Sequence, residues 1–492
     1  MKVHLLFPDQ DYDGTQALPD ESSVLRSDLE LDQILKVMAI EDQDILSVTE
    51  HLLLVPLTSS QDIAYRQSIL RDALQNPDIL RCMYAIAAEA LHKTKSMWGI
   101  SSIYMYSTFS GCVSRLQMFC DLLEKLRIIA QKDSARFHSE GMTHLFSMMQ
   151  QELSADYLTE VRKHLKELKF TDGTLLSATL GDVNQSTGYV LRRQLDKRAL
   201  RMIRWATAPS FTLHPRDDNG MNDLSGKIDC AIAQITNTLW KSALHVEQFF
   251  GLLKHELAFY IGCINLRDQL EKRGLAIAIP NVTASPKRIL NGEGLYDCSL
   301  ALIKTDEIVK NPLAADGCNL IIISGANQGG KSTFLRSLGQ AQLMAQCGMF
   351  VCAASLNIDI CTGVFSHFKR EEDTKLESGK LDEELSRMSL IVDRLRPGSL
   401  LLCNESFSST NEREGSEIHR QIVDALLECG VRVVSVSHMY EFVISYYQRK
   451  REDMLFLQPQ RIENGERTFR LVSGVPTPTS YGDDIYRSVF ER

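Results

Sequence analysis

The sequence predicts a mostly helical body interrupted by a small β excursion, followed by an α/β domain with a largely parallel sheet. Three observations carry this. Between about residues 29 and 168, and again after Asp223, apolar residues recur every three or four positions, the spacing of a helix face. From Gly173 to Arg193 the pattern shortens to that of strands and a turn. Beyond about residue 294, short β-rich runs alternate with helix-compatible runs, as in a sheet with crossover helices.

The elements follow in order. Leu52, Leu53, Val55 and Leu57, then Ile63, Ile69, Leu70 and Leu74, read as helix faces. Asn76-Pro77-Asp78 reads as a break and a new helix start, because proline is tolerated in a first turn and aspartate favours its positive end. Further helices are expected over Gln117–Gln131 and Met142–Leu168. Gly173–Leu180 and Tyr189–Arg193 are expected to pair as a hairpin around the polar turn Gly181–Gly188. Val246, Phe249, Phe250, Leu253, Leu257, Tyr260, Ile261 and Ile264 trace a broad apolar stripe on one later helix. Strands are expected at Leu320–Ser324, Met349–Cys352, Leu400–Asn404 and Val431–Ser437. Met454–Gln458 and Thr468–Val472 flank Asn464-Gly465, a dipeptide suited to a tight hairpin turn.

Gly274–Gly294, with Pro280, Pro286 and three glycines, marks the expected boundary. The expected division is a segment 1–28, a helical domain 29–293 with a hairpin near 173–204, and an α/β domain 294–492.

Composition narrows the class. The chain has 492 residues, 44% apolar and 24% charged, which excludes collagen-like, coiled-coil-only and largely disordered chains. The formal net charge of −9 gives no global attraction for nucleic acid, so any polyanion contact must come from a local basic patch. No apolar run approaches the ~18 residues of a membrane span, and the N-terminus does not read as a signal peptide. Twelve cysteines without a C-x-x-C pair read as buried thiols in a reducing cytosol. A cytoplasmic location is expected.

The most specific feature is Gly325-Ala326-Asn327-Gln328-Gly329-Gly330-Lys331-Ser332, which fits G-x-x-x-x-G-K-[ST] at every position. A strand precedes it and a helix-compatible run beginning at Thr333 follows. Glycines let successive backbone N–H groups wrap a phosphate, and the helix start adds partial positive charge. Lys331 is expected to reach the β- and γ-phosphates, and the Ser332 hydroxyl to ligand Mg²⁺. ATP and Mg²⁺ are the expected cofactors.

The strand Leu400–Asn404 ends beside Glu405, placed to activate the attacking water as a general base. Asn404 stands where an aspartate is usual for Mg²⁺; its amide oxygen can accept from a metal-bound water but adds no charge. His438 directly follows the run Val431–Ser437 and could sense the γ-phosphate or hold the water.

These residues resemble the ATPase domain of the MutS family of DNA mismatch-repair proteins. The resemblance rests on Asn327 within the loop, on Thr333-Phe334-Leu335-Arg336, and on Gln342–Val351. It continues through Asn404–Gly415, Ser437-His438-Met439-Tyr440-Glu441-Phe442 and Ser480-Tyr481-Gly482. It implies an ABC-like P-loop ATPase working as a homodimer, each site completed by a signature segment of the partner. Here Ser378, Gly379 and Lys380 fall in that place, without the usual Ser-Thr-Phe-Met run. The helical body is similar to the family's core, lever and clamp regions. No Phe-x-Glu is found near the start, so the mismatch-reading module of full-length members is expected to be missing.

For DNA, the candidate stretch is Arg192, Arg193, Lys197, Arg198, Arg201 and Arg204, whose cations would give sequence-independent, salt-sensitive backbone contacts. A solvated helix face is the other reading of that stretch. Three functions stand at this point: a MutS-like ATPase switch on DNA, a non-catalytic nucleotide-gated scaffold, and an ABC-type transporter ATPase. The last is disfavoured by the long helical body and the missing Leu-Ser-Gly-Gly signature.

Overall fold

A computed structural model describes residues 1–97, 105–170, 173–182, 185–192, 211–284, 287–325, 329–370, 379–461 and 467–477. The helices along the chain are α1 (Ser22–Asp28), α2 (Leu31–Ala39), α3 (Gln43–Leu54), α4 (Ser60–Gln75), α5 (Pro77–Met97), α6 (Met105–Asp133), α7 (Glu140–Glu152) and α8 (Ala155–Glu167). They continue as α9 (Asp218–Lys272), α10 (Cys298–Ile303), α11 (Lys331–Gln346), α12 (Lys380–Val392), α13 (Glu412–Glu428) and α14 (Tyr440–Tyr447). The strands are β1 (Leu175–Leu180), β2 (Ser186–Arg192), β3 (Asn281–Thr283), β4 (Leu290–Leu295), β5 (Asn311–Ala314), β6 (Leu320–Ile323), β7 (Ser355–Asp359), β8 (Val364–Phe368), β9 (Leu400–Asn404), β10 (Arg432–Val436), β11 (Met454–Arg461) and β12 (Arg467–Ser473).

The chain divides into two compact units. The first comprises Met1–Val3, Asp78–His138 and Met142–Lys254; the second comprises His4–Pro77, Ser139–Gly141 and His255–Arg492.

Among its described residues the first unit is helical, apart from the hairpin β1–β2, whose strands pair antiparallel from Leu175↔Arg192 to Leu180↔Ser186. Phe119 and Phe250 pack with ring centroids 5.6 Å apart. The helix expected over Met142–Leu168 is two helices. Ser154 interrupts it: its hydroxyl accepts from Tyr157 N–H and caps α8, a competition with the helical backbone that serine readily wins at a helix start.

The second unit is built on a six-stranded sheet of order β12-β11-β6-β10-β9-β8 and a four-stranded sheet of order β3-β7-β4-β5. In the larger sheet β8, β9, β10, β6 and β11 run parallel, and β12 closes one edge antiparallel as the expected terminal hairpin. The central strands Leu320–Ile323 and Arg432–Val436 are buried throughout, which is why they read as continuous apolar runs. The run Met349–Cys352 is not a strand. Gly348 turns the chain there at φ 81°, and Val351 makes only an isolated bridge to Ala278.

Residues near the N-terminus are tied into this unit by buried polar contacts. Arg66 is fully buried and donates to Cys347 O at 2.9 Å and to Leu6 O at 3.2 and 3.3 Å. Gln340 on α11 donates to Leu29 O at 2.9 Å and contacts Ser299 Oγ at 3.0 Å, while its Oε1 accepts from Cys298 N–H at 2.9 Å. A buried group left unpaired costs about 1–3 kcal/mol. Gln340→Leu is therefore expected to lower the unfolding free energy by about 2–4 kcal/mol, read from the urea midpoint. An unchanged midpoint would show that these bonds contribute nothing net.

Glu256 is buried on α9 and accepts from the backbone N–H groups of Leu5, Leu6 and Tyr12. Burial outweighs those three donors and pushes its carboxyl from 4.5 up to about 7. The folded chain then holds more protons than the unfolded chain between those values. Stability from this group falls as pH rises through the window, by about 1.4 kcal/mol per unit at most. Glu256→Gln is expected to flatten that part of the stability–pH profile, measured by chemical denaturation between pH 4.5 and 8. Parallel profiles for the two proteins would rule the assignment out.

Among the described residues, no helix is long and apolar enough to cross a membrane.

Candidate functional site

The register of the parallel sheet builds the site. Val436 lies opposite Ile323 on one side and Asn404 on the other. Three strands therefore end in one row, and the residues that follow them, Ser324-Gly325, Glu405 and Ser437-His438, meet at the carboxyl edge. Ligands of open parallel sheets bind outside that edge. The row is stitched by Glu405 N–H to Val436 O at 2.9 Å and Ser437 N–H to Ile323 O at 3.1 Å.

The loop itself has the backbone that glycine makes accessible. Gly325 has φ 109° and Gly330, the residue before α11, has φ 84°. A side chain at Gly325 would stand 3.0 Å from Pro459, and one at Gly330 3.3 Å from Phe469 O. Lys331 is 5% exposed. Its Nζ donates to Gly325 O at 2.7 Å, spanning the loop from end to start. Burial lowers its pKa and the charge of Glu405 opposes that shift. Gly330 caps α11 without a side-chain hydrogen bond, and the positive end of such a helix attracts an anion. Gly329, Ser332 and Thr333 are described beside it; Ala326, Asn327 and Gln328 lie outside the described residues.

Ser332 Oγ donates to Asn404 Oδ1 at 2.8 Å. Both predicted metal-organising groups are thus in contact, although 72 residues separate them. The pair offers two hard neutral oxygens, a set that suits Mg²⁺, which keeps most of its waters. Glu405 and His438 are also brought together, with Oε1 and Nδ1 3.9 Å apart and both side chains partly exposed. This is beyond a direct hydrogen bond. Glu405 itself has φ 54°, in the left-handed region, at a cost of about 1–3 kcal/mol that clusters at functional sites.

Gly379 precedes α12 and Lys380 opens it; Ser378 lies outside the described residues. Arg192 ends β2, is exposed, and donates through Nε to Ser177 Oγ at 2.9 Å. Arg193, Lys197, Arg198, Arg201, Arg204 and the Ser480-Tyr481-Gly482 motif lie outside the described residues.

One part of the site is not anticipated by the sequence. A cavity of about 370 Å³ opens beside Gly330 and Thr333, walled by Leu295, Leu300, Ile308, Val309, Phe334 and Phe469, with Lys304 and Glu307 also lining it. Its walls are gathered from β4, α10, the loop before β5, α11 and β12, so no local pattern announces it.

The fold and site together define a mixed α/β domain with a glycine-rich strand-to-helix loop, Lys331 and Ser332 opening the helix, and a carboxylate at the end of β9, two strands from β6. Two family models match the chain: the MutS2 N-terminal domain over residues 58–273 and MutS domain V over residues 321–485. The chain belongs to the MutS family. It is 28% identical over 183 residues to human MutS protein homolog 4, covering 36% of this chain and 19% of that protein. It is 27% identical over 283 residues to endonuclease MutS2 of Lacticaseibacillus paracasei, covering 55% and 34%. It is 31% identical over 178 residues to endonuclease MutS2 of Thermus thermophilus, covering 35% and 23%. The matched stretches thus span between a fifth and a third of those relatives.

Proposed function

We propose that the chain is an ATPase that binds ATP and Mg²⁺ at the 325–332 loop and couples nucleotide-driven dimer closure to DNA binding. The observation that carries this is the meeting of Lys331, Ser332, Asn404, Glu405 and His438 at one sheet edge. The cavity beside Gly330 has the size and apolar walls for a nucleobase. In this reading the base lies between the loop and Phe469, and the phosphates run to the head of α11. Lys331 leaves Gly325 O and pairs with the β- and γ-phosphates. Ser332 and Asn404 would hold Mg²⁺, which neutralises charge developing on the phosphate oxygens. Glu405 takes a proton from water, and His438 orients that water. Gly379 and Lys380, at the head of α12, would complete the partner's site in a homodimer.

The DNA part of the proposal rests on family membership and on the basic stretch from Arg192 to Arg204. The relatives' names, a MutS homolog and an endonuclease, point to DNA transactions; no cleavage chemistry is assigned to this chain. The test is a binding panel at fixed salt with homoduplex, mismatched, branched and single-stranded DNA, each with ADP and with ATP. Hydrolysis is measured alongside, with and without DNA. Nucleotide-dependent preference for one DNA form supports the coupled switch. Equal weak binding to all forms removes the DNA role.

Asn404 favours one second reading, a nucleotide-gated scaffold that binds ATP without turnover, because a neutral amide holds Mg²⁺ less strongly than a carboxylate. ATP binding with no steady-state phosphate release would select it.

A further inference from the structure

The turn after β9 is shaped against its own backbone preferences. Both Glu405 and Phe407 have positive φ, 54° and 60°, a region that residues with a Cβ avoid. Such shapes persist where the surroundings over-determine them. The surroundings here are a buried polar cluster that the hydrolytic mechanism above does not use.

Ser409 Oγ donates to Glu384 Oε1 at 3.1 Å. The Phe407 N–H faces the same carboxylate, and both hydrogen bonds work against the rise in its pKa that burial causes. Glu384 is 4% exposed, and its Oε2 has no hydrogen-bond partner among the described residues. Beside it, His367 Nε2 lies 3.1 Å from Glu384 O, and His367 Nδ1 lies 2.7 Å from Ser406 Oγ. Burial pushes the His367 pKa down to about 4, so its ring is neutral at pH 7. A carbonyl oxygen only accepts. The single ring proton therefore sits on Nε2, and Nδ1 faces the Ser406 hydroxyl, which also reaches His367 O at 2.9 Å. The His367 ring also stacks on Phe407, with centroids 5.4 Å apart.

This cluster joins three pieces of one unit: the end of β8, the middle of α12, and the turn 405–409. A buried carboxylate with one oxygen unsatisfied is a poor way to gain stability, because an apolar residue fills such a space at lower cost. Its bonds instead converge on the turn that carries Glu405. We propose that Glu384 is a positioning residue that fastens this turn to α12, so that a movement of α12 changes how well Glu405 activates water. Glu384 touches neither nucleotide nor reacting atoms. The inference rests on the ATPase reading. It goes beyond that reading by making the helix headed by Gly379 and Lys380 a control element for the carboxylate of its own chain.

The experiment uses the full chain and compares wild type, Glu384→Ala and Glu384→Gln, each also in a Glu405→Ala background. ATP affinity, kcat, KM and amide exchange at Phe407 are measured. Misplacing a catalytic group by about 1 Å costs about a hundredfold in rate. Glu384→Ala should lower kcat by about tenfold to a hundredfold, leave ATP affinity unchanged, and speed exchange at Phe407. Glu384→Gln, which keeps an accepting oxygen, should recover most of the rate. In the Glu405→Ala background the second substitution should cost nothing further.

Wild-type kcat in Glu384→Ala would overturn the inference. So would an equal fold-loss in the Glu405→Ala background, the mark of a strut that acts without Glu405. If Glu384→Ala does not fold, Ser409→Ala removes one bond of the same link, and an unchanged kcat there overturns the inference as well. Absence of hydrolysis in the wild type would overturn the ATPase reading and this inference with it. Wild-type hydrolysis with an unmoved Glu384→Ala rate overturns the inference alone.

Discussion

Lys331→Ala is expected to abolish ATP binding at working concentrations. The side chain is buried at the head of α11 and already spans the loop to Gly325 O. Exchanging that carbonyl for phosphate oxygens replaces a charge–dipole contact with charge–charge contacts. Hydrogen bonds to charged groups contribute about 1.5–3 kcal/mol each, so losing those to two phosphates weakens binding by at least about a hundredfold. The loss should appear in direct titration with ATP. Thermal denaturation controls for the lost loop contact, since the variant also strands Gly325 O. An unchanged ATP affinity in a folded variant would remove the 325–332 loop from the mechanism.

Glu405→Ala is expected to do the reverse: bind ATP normally and fail to turn it over. Glu405 ends the row formed by Ile323, Val436 and Asn404, and its carboxylate stands 3.9 Å from His438. Removing a general base costs about 10²- to 10⁴-fold in rate. The measurement pairs ATP affinity with phosphate release in single-turnover conditions. Retained turnover would assign water activation to another group, with His438 the first to examine. Lost binding would instead place Glu405 among the ligand-holding residues.

How much of this was legible in the sequence depends on distance along the chain. The loop, its strand and its helix occupy about thirty consecutive residues, so spacing alone identifies them. The strands at Leu320, Leu400 and Val431 were legible because burial on both faces makes them continuously apolar. The β8 segment, Val364–Phe368, was not: Ser366 and His367 are buried polar residues; Ser366 bonds a residue 338 positions away, and His367 bonds residues 39 and 17 positions away. The four-stranded sheet leaves no such signal, for a related reason. Its strands are three to six residues long, too short for a period to show. The cysteine and charge arithmetic bounded the chemistry without locating any of it.

The sequence by itself determined what the loop can hold, because eight adjacent residues set the backbone N–H groups, the cation and the hydroxyl together. It also determined the helical and α/β character, since periodicity is a local property. Only the tertiary structure decided which distant residues serve the loop. Parallel strands are joined by long crossovers, so neither the order of β6, β10 and β9 nor their register can be read from spacing. That register places Asn404 on Ser332 and Glu405 beside His438. The same holds for the cavity walls, for the N-terminal residues pinned by Arg66 and Gln340, and for the tie between Glu384 and the Glu405 turn. Each is a buried contact that exists only when two remote segments desolvate one another.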